Sequence, residues 1–173
     1  MIFFFLFIRN HGIIEFQSDE FVFENQKFNY ALESIFEQAK EELGCDKDTS
    51  NAIVQRLLIC EKGFQFQPNT FDIENEFGTL IIQLPSVFGG NSLLVHYGDQ
   101  TKTVQFNRKE KKYEIIYSAF YSNCKFETTP LESGYRLVLV YKLTSIDSGE
   151  LLKRLKESTK IKQQITESLS QVM

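Results

Sequence analysis

Between Glu61 and Tyr141 the chain alternates apolar runs of strand length with glycine and proline punctuation, a rhythm that suits a series of β-strands joined by turns. The stretch includes EKGFQFQPNTFD, then FGTLIIQLPS, then SAFYSNCKFETTPLESGYRLVLVY. Gly78 to Pro85 read as one long buried strand, and Ala52 to Cys60 as another, with Leu57, Leu58 and Ile59 buried. Phe88 to Gly90 supply a turn into the next hairpin, and SLLVHYGDQT is a strand running into a glycine-containing turn. Gly134 is placed for a turn before the last strand, since glycine accepts positive φ at little steric cost. Seventeen phenylalanines and no tryptophan suit the inside of a compact β structure.

The flanks read differently. Phe28, Tyr30, Ala31, Ile35, Phe36, Ala39 and Leu43 recur largely at spacings of three and four, as an amphipathic helix requires, and Gly44 supplies its C-terminal cap. This helix is expected to pack across the outside of a β-sandwich. The opening MIFFFLFIRN has eight apolar residues before Arg9, against the roughly 20 that span a bilayer as a helix. It reads as a first strand, or as the sign that the chain starts partway into a longer parental domain. Residues 146–173 are polar with a leucine and isoleucine stripe, giving a C-terminal helical tail that docks or frays. The expected organisation is one domain over residues 1–145, with its β core at 52–143, followed by that tail.

A length of 173 residues with 42% hydrophobic and 24% charged residues fits a single globular domain. The net charge of −4 indicates no basic face for nucleic acid. The basic run Arg108 to Tyr113 reads as a solvated hairpin loop. Cys45, Cys60 and Cys124 form no paired pattern, so a disulfide framework or zinc site is not indicated and a reducing, intracellular (cytoplasmic) setting is expected.

The order and spacing of these blocks resemble the prolyl 4-hydroxylase-like branch of the 2-oxoglutarate and iron(II)-dependent dioxygenases. The resemblance implies a double-stranded β-helix, or jelly roll, with an N-terminal helix outside it. In that family the first block ends in Pro-His-x-Asp and the last contains Cys-x-His-Glu. Here the corresponding residues are Pro68, Asn69, Thr70 and Phe71, then Cys124, Lys125, Phe126 and Glu127. All three metal-ligand positions are therefore changed, to Asn69, Phe71 and Phe126. Non-haem iron(II) oxygenases hold the metal with two imidazoles and one carboxylate, and a phenyl ring cannot coordinate it. The only histidines, His11 and His96, fall outside the motif. Asp72 follows the carboxylate position by one residue, so a bulge there would restore a ligand; otherwise it is a solvent-facing turn acid beside Glu74.

The resemblance also implies a basic residue about ten positions after the distal histidine, pairing with the far carboxylate of 2-oxoglutarate. Counting from Phe126 reaches Arg136, whose planar guanidinium suits a carboxylate. The structural alternative is an ion pair with Glu127 or Glu132. Cys124 reads as a packed core thiol.

Two functions follow as expectations. One is a dioxygenase-like pseudoenzyme without cofactors, a binding or scaffold module with an unidentified protein or peptide partner and no nucleic-acid or membrane role. The other is an active 2-oxoglutarate and iron(II) oxygenase with an atypical metal site. A third use of the scaffold is small-anion binding at Arg136 without turnover.

Overall fold

The computed structural model describes residues 8–10, 12–45, 50–66, 76–106 and 115–145. Eleven strands and one helix are found there: β1 (Ile8–Asn10), β2 (Ile13–Gln17), α1 (Gln26–Glu42), β3 (Ser50–Cys60), β4 (Glu76–Gln83), β5 (Phe88–Gly90), β6 (Leu93–Tyr97), β7 (Gln100–Val104), β8 (Ile116–Tyr121), β9 (Lys125–Thr128), β10 (Leu131–Gly134) and β11 (Arg136–Ser145). The large sheet runs β1-β2-β3-β11-β4-β8, with every pairing antiparallel. Opposite it lie a three-stranded piece, β7-β6-β9, and a two-stranded piece, β10-β5. This is an antiparallel jelly-roll sandwich carrying one helix.

The central strand explains the apolar run at 136–145. β11 is flanked by β3 and β4 and covered on both faces, so its side chains alternate between two cores instead of between core and water. Val138 and Val140 point into the sandwich with Leu58, Ile81, Leu93 and Leu131. Leu139, Tyr141 and Leu143 point the other way, against Leu80, Ile82 and the helix.

An extra residue in β3 changes its phase. Val140 pairs with Arg56 but Tyr141 pairs with Val54, so Gln55 has no opposite number. Leu58 and Leu57 face the inner and outer cores in normal alternation, and beyond the bulge Ala52 and Val54 take the outer, helix-side positions. The expected burial of Leu57, Leu58 and Ile59 is thus complete only at Leu58, with 1% exposure.

Asn25 starts α1 by accepting from the backbone N–H groups of Lys27 (3.0 Å) and Phe28 (3.4 Å). At the other end Gly44 takes a φ of 67°, and the amides of Gly44 and Cys45 donate to the carbonyls of Glu41 and Lys40. Those two bonds are a Schellman motif, which satisfies carbonyls the helix would otherwise leave open. The helix lies on the outer face of the large sheet, as expected, with Phe36 4.8 Å from the Tyr141 ring. Its contact stripe is corrected at one place: Tyr30 is exposed, and Leu32 is buried against the sheet.

Two other expectations are corrected. Phe88 to Gly90 form a strand paired with β10, not a turn; the turn falls at Asn91, which has a positive φ of 58°. Cys124 is only half-buried, in the turn after β8, although it touches the inner core. The first seven residues, His11, the basic run 108–113 and the tail 146–173 lie outside the described residues.

Candidate functional site

Arg136 opens β11 on the same parity as Val138 and Val140, so alternation sends its side chain into the sandwich. It is 2% exposed. A cation so buried needs hydrogen-bond acceptors, and two amide side chains provide them. Nε donates to Gln83 Oε1 at 2.6 Å, and Nη1 donates to the Asn91 backbone oxygen at 3.1 Å and to Asn91 Oδ1. Gln83 is held with its oxygen toward Arg136 because its NH₂ is engaged elsewhere, donating to Leu84 O at 2.6 Å and Ser86 Oγ at 2.7 Å. The guanidinium also lies 4.5 Å from the centre of the Phe106 ring and 5.6 Å from that of Phe88, within cation–π range.

The alternative, an ion pair with Glu127 or Glu132, does not form. Glu127 faces His96, with Nε2 to Oε1 at 3.4 Å, and Glu132 is exposed on β10. Arg136 has no carboxylate partner among the described residues. Burial lowers its pKa to about 10, so it remains charged at neutral pH. Cys60, its Cα partner across β3, offers no negative charge in return, because burial raises that thiol to about 12.

Asn91 organises the surroundings. Between β5 and β6, its Nδ2 donates to Phe64 O (3.3 Å), Thr128 Oγ1 (3.1 Å) and Thr129 O (2.7 Å), while its backbone N–H donates to Pro130 O. One buried side chain therefore ties the 61–66 loop, the β9–β10 junction and the guanidinium together.

Phe126 also points inward, from β9. Its ring lies 5.4 Å from that of Phe66 and 4.7 Å from that of Phe120, and Phe64 extends the cluster at 6.3 Å from Phe66. A cavity of about 10 Å³ lies next to these rings, lined among others by Phe64, Phe66, Cys60, Asn91 and Arg136. The structure thus brings Arg136 and the Phe126 cluster to one interior. Asn69, Phe71 and Asp72 lie outside the described residues. Among the described residues no group of three or more His, Cys, Asp or Glu side chains could hold a metal, and no helix is long and apolar enough to cross a membrane.

Gln83, Asn91 and Phe106 were not anticipated from sequence. A polar residue closing the apolar run LIIQ and an Asn directly after two glycines were the available signals for the first two. Phe106 carried none.

No family model and no curated protein matches the chain. Among solved structures, a Pseudomonas putida prolyl-4-hydroxylase is similar over 78% of this chain and 73% of its own, at 12% identity and a TM-score of 0.50. An oxidoreductase of the 2OG-Fe(II) oxygenase family from Burkholderia pseudomallei matches over 54% of this chain at 16% identity and a TM-score of 0.42. A Trichoplax adhaerens prolyl hydroxylase, solved with a hypoxia inducible factor peptide, matches over 82% at 9% identity and a TM-score of 0.49. The matched part spans only 45% of the Burkholderia chain and 66% of the Trichoplax chain. What is shared is the fold: the protein has the jelly-roll architecture of the prolyl-4-hydroxylase type.

Proposed function

We propose that the protein is a non-catalytic, carboxylate-binding member of the 2-oxoglutarate and iron(II) oxygenase type, one that has kept the cosubstrate arginine and lost the metal ligands. The observation that carries this reading is the pairing of a buried, carboxylate-free Arg136 with a phenylalanine cluster built around Phe126. The donor set does not fit iron(II). A phenyl ring has no lone pair to give, the ring at 126 is in contact with Phe66 and Phe120, and Asn69 would offer only a neutral amide where an imidazole is needed. Turnover of 2-oxoglutarate needs redox chemistry that the metal supplies and positioning cannot replace. Arg136 keeps the chemistry for an anion: fixed orientation, positive charge at neutral pH and, among the described residues, no competing carboxylate.

Anaerobic iron(II) titration followed by an assay for succinate from 2-oxoglutarate tests the catalytic half. Neither stoichiometric iron nor succinate is expected; tight one-to-one iron with succinate formation would overturn it. The binding half requires saturable carboxylate binding that disappears in Arg136→Ala.

A further inference from the structure

We propose that the site selects an amphipathic monocarboxylate, with its anionic head on Arg136 and an aliphatic or aryl tail among the rings of Phe64 and Phe66. This rests on the reading of Arg136 as a carboxylate site and goes further by naming the ligand class.

The head is defined by what Arg136 still has to offer. Nε is committed to Gln83 and Nη1 to Asn91, while Nη2 donates to no acceptor among the described residues. Arg136 lines the small cavity beside Phe64 and Phe66, which is where a ligand would reach the guanidinium. That leaves one donor group on a buried cation, enough for one carboxylate.

The tail is defined by the far wall. A dicarboxylate held at Arg136 would carry its second charge toward Phe64, Phe66 and the Phe126 ring behind them. The other polar groups there are occupied. Asn91 Nδ2 has three acceptors, and Thr128 Oγ1 already accepts from Phe66 N and Asn91 Nδ2, leaving a single hydroxyl proton. A carboxylate without a cation or a set of donors is strongly disfavoured in such surroundings. A methylene chain or an aryl ring is favoured there for the same reason.

Room for the tail requires the rings of Phe64 and Phe66 to turn. The cavity of about 10 Å³ holds roughly one water-sized group, enough to admit the leading oxygen of the head. The backbone beside it is pinned: Phe66 N donates to Thr128 Oγ1 at 2.7 Å, Thr128 N to Phe66 O at 3.2 Å, and Leu131 N to Phe64 O at 2.9 Å. The half-buried side chains of Phe64 and Phe66 are the parts the tail would displace, its own apolar surface replacing theirs against the cavity wall.

The test is a set of calorimetric titrations at fixed ionic strength with hexanoate, hexanamide, succinate and 2-oxoglutarate. Hexanoate is expected to bind at least about tenfold tighter than succinate, 2-oxoglutarate or its neutral amide, a difference of about 1.4 kcal/mol. Phe66→Ala should tighten hexanoate by making room, and Arg136→Gln should abolish binding. Succinate or 2-oxoglutarate binding as tightly as hexanoate would overturn the monocarboxylate proposal and leave the carboxylate-site reading intact. No carboxylate binding to either wild type or Phe66→Ala would overturn both. Hexanamide binding as tightly as hexanoate would show nonspecific apolar partition and also overturn both, without depending on whether the Arg136 variant folds.

Discussion

Replacing Asn91 with alanine and, separately, with glycine should divide the contribution of this residue into two parts. Both changes remove the same side chain. Its NH₂ has two protons for three acceptors, so one is shared, and the loss amounts to about two neutral hydrogen bonds at about 1 kcal/mol each. Oδ1 accepts from the buried guanidinium, which adds about 1.5–3 kcal/mol. Phe64 O retains Leu131 N and Thr128 Oγ1 retains Phe66 N, but no other donor to Thr129 O is seen among the described residues. The glycine variant should therefore lose about 3–5 kcal/mol. Alanine must in addition adopt the positive φ of 58°, at a further cost of about 1 kcal/mol. Urea unfolding at neutral pH, followed by circular dichroism and analysed with a common m-value, measures both. A loss under about 1 kcal/mol in either variant would refute the account of Asn91 as the tie between loop, junction and guanidinium. Equal losses in the two would refute the backbone argument alone.

Other outcomes can be checked directly. Burial raises Cys60 and Tyr141 to about 12 and Cys45 to about 11, above their ordinary values of 9.0, 10.0 and 9.0. Between the two values the unfolded chain has lost these protons while the folded protein keeps them, so stability is full below about pH 9 and falls as pH rises toward 12, with Cys60 contributing up to about 1.4 kcal/mol per pH unit. Arg136, lowered to about 10, acts in the opposite sense above that pH. Urea midpoints at about pH 8.5 and about pH 10.5 should show the net fall, less steep in Cys60→Ala. Gly134→Ala combines a φ of 74° with a Cβ that would overlap the Val87 carbonyl oxygen and sit 2.9 Å from Phe88 Cα. It should cost at least about 2 kcal/mol by urea unfolding and separate β10 from β5 in hydrogen exchange. Asn69→His, Phe71→Asp and Phe126→His together should create measurable iron(II) affinity by anaerobic titration, whereas single changes do little; no gain from the triple change would show the assigned register to be wrong.

How far the sequence could be read follows from the physics of each signal. The long strands were legible because β4 and β11 are covered on both faces and spell mostly apolar runs, and because the second half of β3 carries the apolar segment Leu57 to Cys60. The helix was legible through its period and Gly44. Arg136 was reached through the family resemblance, which implies a basic residue at that position, and its inward direction follows from strand parity, but its partners were not. The amides of Gln83 and Asn91 come from strand ends 53 and 45 residues away, and nothing local in sequence marks two neutral side chains as the acceptors of a cation. Glu127 was a sensible candidate by proximity in sequence; strand alternation puts it opposite in direction to Phe126 and beside His96. Short strands such as β5 carried too few residues to be told from a turn, and two of its three are glycine.

The unpaired Gln55 bears on how this chain should be aligned with any other. Because the bulge adds one residue without altering which positions on either side meet β11, deleting Gln55 would leave a regular strand with Leu57, Val54 and Ala52 still toward the helix. Strand length can therefore differ by one at this point while the positions that face the helix on either side stay the same. A column-by-column alignment through β3 that allows no gap there would shift every position from Ser50 to Val54 onto the wrong face, while scoring the rest of the strand correctly.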